Sequence, residues 1–164
     1  MCEYCNCQAI PAIETLTREH DDALDHMRAA TEALDDGDLQ RLQNSCSALL
    51  ALLGPHTAVE EQALFPPLQV DFPDYMNDLC REHAVVTAAL SEATSTSART
   101  GGWEQRLAAA LRLLREHIRK EQDGVFPVAL STFTTAQWEQ LEHVRERLEA
   151  APIGGPRREE IVSA

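Results

Sequence analysis

Apolar residues recur three and four positions apart along most of the 164-residue chain, which is the spacing of one face of an α-helix. Sequence breakers divide this pattern into four long segments and one shorter segment, which cover residues 11–36, 38–66, 74–98, 103–130 and 135–150. The pattern predicts an all-α fold, an antiparallel up-down four-helix bundle with a short fifth helix towards the C-terminus.

The ends of these helices carry recognisable signals. Asp38 and Asp74 each stand where a side chain can cap the start of a helix, and Pro66-Pro67 is expected to stop the second helix. Thr134 and Gln137 have the spacing of a capping box before the fifth helix. We expect short turns between the helices, and therefore antiparallel neighbours.

Composition suggests three parts. Residues 1–10 form a cysteine-containing N-terminal arm, residues 11–150 form the bundle, and residues 151–164 contain glycine, proline and a charged run, which predicts a flexible tail. The formal net charge of −13 repels phosphate backbones, so we expect no nucleic-acid partner. No stretch approaches the ~18 apolar residues of a membrane span, and we expect a cytoplasmic protein without a membrane partner.

Polar residues interrupt the apolar stripes in a regular way. Each of the four long stripes contains one histidine, and the second and fourth stripes add a glutamate four residues later. The residues are His20, His56 with Glu60, His83, and His117 with Glu121. At about 1.5 Å of rise per residue, the four histidines return to one level of the bundle. A single core histidine is usually just hydrogen-bonded, but four at one level with two glutamates predict a shared site.

An internal repeat supports this prediction. Two sequence patterns occur twice, with the second copy 61 to 63 residues after the first: Arg18-Glu19-His20 and Arg81-Glu82-His83; His56, Glu60, Phe65-Pro66 and His117, Glu121, Phe126-Pro127. Two copies of a helical hairpin would place the same chemistry on both sides of one centre. The repeat therefore predicts a two-fold arrangement of ligands.

Metal ions would resolve the electrostatic conflict in such a core. Two ionised carboxylates buried without compensation cost roughly several kcal/mol each. Imidazole with carboxylate suits iron, manganese or zinc, and bridging carboxylates hold pairs of metals in helical bundles. We therefore expect two metal ions, with Glu60 and Glu121 as bridging ligands because their positions mirror each other.

The motif resembles that of the hemerythrin-like family, the HHE cation-binding domains, over roughly residues 11–150. The resemblance rests on one helix histidine followed by H-x-x-x-E, with both then repeated: His20, His56-Thr57-Ala58-Val59-Glu60, His83, and His117-Ile118-Arg119-Lys120-Glu121. It implies an antiparallel four-helix bundle around two iron ions joined by an oxo or hydroxo bridge. Some actinobacterial members are similar in starting with a short cysteine cluster.

Family members that carry oxygen have a fifth histidine, and Thr87 occupies that position here. The resemblance then implies open metal positions and a small inorganic ligand: O2, H2O2 or an NO species. We expect a di-iron protein that binds or reduces such oxidants, and an oxidoreductase that removes peroxide or NO is one form of it. The alternative is a gas or redox sensor, or an iron-binding module without turnover, in which the N-terminal cysteines report the state of the metal site. Electron donor and oligomeric state, monomer or homodimer, stay open.

Other residues have weaker signals. Cys2, Cys5 and Cys7 have the spacing of a second metal or redox site, but three thiols do not complete a tetrahedral site, and a reduced terminus explains them equally. Glu61, Thr87 and Cys80 are expected just outside the ligands, although burial alone explains a cysteine.

Glu19 and Glu82 are each expected to orient a neighbouring histidine. Two further histidines, His26 and His143, point away from the apolar stripes and are expected at the surface.

Overall fold

The computed structural model describes residues 10–150, and within this range it contains helices and turns without a strand. The expectations for the cysteine arm and for the C-terminal tail fall largely on residues 1–9 and 151–164, which lie outside the described residues. The all-helical prediction is confirmed. No helix in the described range is both long and apolar enough to cross a lipid bilayer.

The helices follow the predicted segments closely. Their bounds are α1 Pro11–Asp36, α2 Leu39–Val59, α3 Phe65–Gln69, α4 Pro73–Thr94, α5 Trp103–Lys120, α6 Phe126–Thr132 and α7 Thr135–Ala150. One π-helical turn, Glu60–Leu64, joins α2 to α3, and a second, Glu121–Val125, joins α5 to α6. Residues 10–150 therefore form five helical rods, two of which contain a π-helical turn.

The two π-helical turns begin at the two glutamates of the predicted site. In the first turn, the amide of Phe65 donates to the carbonyl of Glu60, which is the five-residue spacing of a π-helix. Pro66 explains this locally, because its ring has no N–H and crowds the carbonyl four residues earlier. The expectation that Pro66-Pro67 ends the second helix is wrong: both prolines occupy the first turn of α3, where a missing donor costs little.

The helix starts agree with the expected caps in two cases out of three. The amide of Arg41 donates to Asp38 Oδ1 at 3.0 Å, and the amide of Thr134 donates to the side chain of Gln137 at 2.7 Å. Asp74 does not cap α4, because the helix begins one residue earlier at Pro73 and makes no side-chain cap bond. The third rod also ends at Thr94 instead of residue 98.

The long helices pack in a ring in which α1 contacts α2 and α5, and α4 contacts the same two helices. Apolar side chains fill the ring in two clusters, one around Leu16, Leu64 and Leu79 and the other around Met27 and Leu90. The histidine of each long rod falls between these clusters along the sequence. The core is thus two apolar layers with a polar layer between them.

Helix α7 closes one side of this core. It packs against α1, α2 and the first π-helical turn, and it buries Leu141 and Val144 in the cluster around Leu16. Arg145 follows directly and is also buried. A charged side chain thus reaches the edge of the polar layer from a helix outside the ring.

Glu92 holds the connection between α4 and α5. Its carboxylate accepts hydrogen bonds from the amide and hydroxyl of Thr100 and from the guanidinium of Arg106. These contacts, the Arg106 bond first, lower the pKa of Glu92 from its ordinary value of 4.5 to about 2.

We expect Glu92→Gln to reduce stability in a pH-dependent way. A lowered native-state pKa stabilises the fold above pH 4.5, and this contribution is lost as pH falls towards 2. The urea midpoint of the variant should therefore lie below that of the parent at pH 6, and the two midpoints should converge between pH 4.5 and 2. An equal difference at all pH values would contradict the role assigned to the Glu92 charge.

Candidate metal centre

The six residues predicted as ligands meet in the polar layer. His20 comes from α1, His56 from α2, His83 from α4 and His117 from α5, while Glu60 and Glu121 begin the two π-helical turns. All six are buried, and both glutamates are fully inaccessible to solvent. They form two groups that could each hold a metal ion, and the two groups share Glu60 and Glu121.

The imidazoles approach each other in pairs. His20 Nε2 lies 3.1 Å from His56 Nε2, and His83 Nε2 lies 2.8 Å from His117 Nε2. The two rings of each pair are tilted by 58° and 59°, so the pairs are nearly equivalent. Each pair therefore directs two ring nitrogens at one point in the core.

The two carboxylates connect these pairs. Glu60 places one oxygen 3.2 Å from His56 Nε2 and the other 3.4 Å from His83 Nε2. Glu121 does the same, with 3.1 Å to His20 Nε2 and 3.1 Å to His117 Nε2. Each carboxylate thus has one oxygen at each histidine pair, which is the arrangement of a bridging ligand.

Carboxylates outside the centre set the orientation of three imidazoles. His56 Nδ1 lies 2.8 Å from Glu19, His83 Nδ1 lies 2.8 Å from Glu61, and His117 Nδ1 lies 2.9 Å from Glu82. These contacts are direct hydrogen bonds. A carboxylate only accepts, so the imidazoles donate from Nδ1 and, when neutral, direct the Nε2 lone pair into the core.

These contacts show that the donor set suits a cation. When both rings are neutral and the Nδ1 protons of His83 and His117 are donated outward, two Nε2 lone pairs face each other at 2.8 Å, and a proton or a metal ion between them relieves this contact. Within residues 10–150, all four oxygens of Glu60 and Glu121 are buried without a hydrogen bond of normal geometry. Imidazole nitrogen and carboxylate oxygen are ligands of iron, manganese and zinc, so the residues fit a metal.

The phenylalanine that follows each π-helical turn supports an imidazole. Phe126 stacks on His20 with ring centroids 5.5 Å apart, and Phe65 stacks on His83 at 5.8 Å. Each phenylalanine lies one turn after a glutamate of the centre, so the Phe-Pro pair performs two roles. Its proline favours the π-helical turn, and its aromatic ring packs against a histidine of another helix.

The charges within the centre compensate each other. Burial disfavours a charged His56, but the nearby carboxylate of Glu60 and the hydrogen bond to Glu19 outweigh it and raise the pKa of His56 to about 10. Burial is likewise outweighed at His117, where Glu121 raises the pKa to about 9. Burial alone would raise the pKa of Glu60, but His56 holds it well below its ordinary range, and His117 lowers that of Glu121.

The remaining predicted residues lie at different places. Glu61 contacts the centre through His83, and the exposed Thr87 lines a small cavity at the four histidines. Cys80 is half-buried and packs against the apolar cluster around Leu16. Cys2, Cys5 and Cys7 lie outside the described residues.

Glu19 and Glu82 orient histidines, as predicted, but not the ones next to them in sequence. Each contacts the histidine of the following long helix, His56 or His117. Of the other two histidines, His143 is exposed and His26 is only partly buried.

Two basic residues near the centre were not expected. Arg145 donates to both oxygens of Glu19, at 2.6 and 3.2 Å, and Lys120 forms an ion pair with Glu82. A signal existed for Arg145, because it stands four residues after Leu141 within the apolar stripe of α7, where a charge is out of place. Lys120 precedes Glu121 on an otherwise exposed face and carries no comparable signal.

Comparison with known proteins assigns the chain to a family of cation-binding domains, in agreement with the donor set of the site. The family model of the hemerythrin HHE cation binding domain matches residues 12–129, which is most of the chain. The chain belongs to this family of cation-binding helical domains. No curated protein and no solved structure gives a significant match. Helix α7, with Arg145, lies beyond the matched region.

Metal binding should release protons. His56 and His117 have pKa values of about 10 and about 9, so both are charged near pH 7 in the metal-free protein, whereas a metal ligand must be neutral. We expect Zn²⁺ to displace about two protons per chain at pH 7 and to bind more tightly as pH rises towards 9. Calorimetric titrations in buffers of different ionisation enthalpy measure this release. Binding heats that do not depend on the buffer would contradict it.

Proposed function

We propose that this protein is a non-haem di-iron protein that binds or reduces small oxidants such as O2, H2O2 or NO species. The observation that carries the proposal is the position of Glu60 and Glu121, each with one oxygen at each of two histidine pairs. Residues 11–150 would form the functional unit, with the long helices arranged antiparallel as an up-down bundle and α7 added on one side.

Two ions suit this geometry better than one. The two ligand groups share both carboxylates but have separate histidine pairs: His20 with His56, and His83 with His117. A single ion would bind the Nε2 atoms of one histidine pair and would leave the two Nε2 atoms of the other pair without a metal. Two cations joined by bridging carboxylates would satisfy the four carboxylate oxygens and the four Nε2 atoms of the set. Iron is proposed because the family resemblance implies it, with manganese and zinc as alternatives.

The space beside the histidines supports a ligand of a few atoms. A cavity of about 10 Å³ is lined by the four histidines and by apolar residues that include Leu53, Val86 and Leu114. This volume is on the order of one water molecule, so an organic substrate does not fit. The exposed Thr87 and the half-buried Thr57 also line it, which gives a route from solvent between α4 and α2.

The protein and the metals would have separate tasks. Bound iron supplies the redox chemistry and the open coordination positions for a small oxidant. Glu19, Glu61 and Glu82 keep three imidazoles in the orientation and tautomer needed for binding. Leu53 and Val86 exclude bulk water from the cavity and so protect the centre from larger reactants.

A sensor or iron-binding module is the second candidate. The exposure of Glu61 supports this candidate. Glu61 bonds to His83 and is also exposed at the surface, so it would connect the centre to a partner that binds there. Such a protein would change state once per ligand and would not turn over. The alternative assigns the reporting role to Cys2, Cys5 and Cys7, which lie outside the described residues.

Replacement of one histidine tests the metal site. After aerobic loading, the parent protein should hold about two iron ions per chain and show oxo-to-metal absorption. His117→Ala should hold at most about one ion and lose that absorption, because one histidine pair is broken. His143→Ala is the matched control, since this histidine is exposed on α7.

Iron content by elemental analysis and helicity by circular dichroism give the result. If a folded His117→Ala protein held as much iron as the parent, the proposed ligand set would be wrong.

Peroxide consumption distinguishes the two candidate functions. With ascorbate in excess, the iron-loaded protein should consume many equivalents of H2O2 per chain, and the His117→Ala variant should consume far fewer. A sensor would stop after about one equivalent per centre. Stopped-flow and endpoint peroxide assays measure the stoichiometry. Consumption that ends at one equivalent would favour the sensor over the reductase.

A further inference from the structure

The two halves of the centre have matching contacts that follow the internal repeat. His56 bonds to Glu19 in the first half as His117 bonds to Glu82 in the second. The two stacks of phenylalanine on imidazole are equivalent in the same way. The positions around the centre are therefore related pairwise, and a difference between the halves can be assigned to particular residues.

One contact occurs in only one half. His83 Nδ1 is bonded to Glu61, the residue after Glu60. Its counterpart would join His20 Nδ1 to Gln122, the residue after Glu121. In the described part of the chain, both His20 Nδ1 and Gln122 Nε2 are buried without a hydrogen-bond partner. The repeat thus places an amide where the other half has a carboxylate.

The charges outside the His83–His117 pair favour a cation. Glu61 and Glu82 each accept a hydrogen bond from an imidazole of this pair. Lys120 neutralises Glu82, but its side chain is 38% exposed, and so part of its charge is screened by solvent. The Glu61 side chain is 41% exposed and is screened to a similar degree. By formal count, the two carboxylates and one amine therefore leave one negative charge behind this pair.

The groups around the His20–His56 pair have no excess of negative charge. Among residues 10–150, Glu19 is the one carboxylate outside the centre that bonds to this pair, and Arg145 donates to both oxygens of that carboxylate. The Arg145 side chain is only 10% exposed, so solvent screens its charge less than that of a surface residue. The charges behind this pair cancel.

We infer that the two cation positions are unequal, and that the position between His83 and His117 binds its divalent cation first and more tightly. This inference rests on the proposed metal centre. A carboxylate that accepts the Nδ1 proton makes an imidazole a better ligand, and loss of such a partner lowers metal affinity roughly 10- to 100-fold. Glu61 and Gln122 are the positioning residues that create the difference.

The two cation positions share Glu60 and Glu121, so binding at one position affects binding at the other. An ion at either position neutralises part of the charge of Glu60 and Glu121, so the second ion binds more weakly wherever the first one lies. Two binding steps would therefore appear even in a symmetric centre. Two unequal affinities are therefore no evidence for the inference. The evidence must be the histidine pair at which the first ion binds.

Imidazole NMR with Zn²⁺ locates the first ion. At one equivalent of Zn²⁺, the ring ¹⁵N signals of His83 and His117 should shift to their bound positions while those of His20 and His56 stay largely free. Equal occupancy of both pairs, or first occupancy of His20 and His56, would overturn the inference and leave the metal centre intact. If no histidine signal responded to Zn²⁺, the proposed function itself would fail.

Two reciprocal variants test the residues assigned to the difference. Glu61→Gln should weaken the first Zn²⁺ step roughly 10- to 100-fold, and Gln122→Glu should strengthen the second step by a similar factor. Gln62→Glu is the control, since this exposed side chain bonds to Arg147 and adds the same charge without facing an imidazole. Chelator competition measures both affinities.

The unfolding temperatures of the metal-free variants show whether each one folds. Affinities that change equally in Gln122→Glu and Gln62→Glu would overturn the role of Gln122. If Gln122→Glu alone failed to fold, the affinity of Glu61→Gln and the location of the first ion would still test the inference.

Discussion

The structure depends on how two fully buried carboxylates are compensated. Glu60 and Glu121 lie at the centre of the bundle, where an ion without compensation costs roughly several kcal/mol. Four imidazole nitrogens surround them, and Glu19, Glu61 and Glu82 orient three of these rings through hydrogen bonds. The apolar clusters on both sides supply stability, but the polar layer determines which helices must be adjacent and in which register.

The two π-helical turns show how backbone geometry serves this layer. Each begins at a glutamate of the centre and is followed by a Phe-Pro pair. The proline disfavours regular α-helical bonding, and the phenylalanine packs on an imidazole from a different helix. A short sequence motif thus determines the glutamate's backbone environment and supports a histidine ring at the same time.

The centre is symmetric among its innermost atoms and asymmetric in the contacts around them. The inner distances of the two halves agree within a few tenths of an ångström. The difference lies further out, where Gln122 replaces a carboxylate and Arg145 arrives from a helix beyond the family match. A duplicated hairpin can therefore keep one ligand set while its two halves acquire different electrostatics.

The sequence by itself determined the helices, the repeat and the six residues of the polar layer, because three-and-four periodicity and residue spacing are local properties. It also indicated that Glu61 lies near the ligands. Only the tertiary structure decided which histidine each outer glutamate contacts, since Glu19 and Glu82 reach across to the next long helix. The same holds for Arg145, which lies 126 residues from Glu19, and the contact between them exists only because α7 packs against α1.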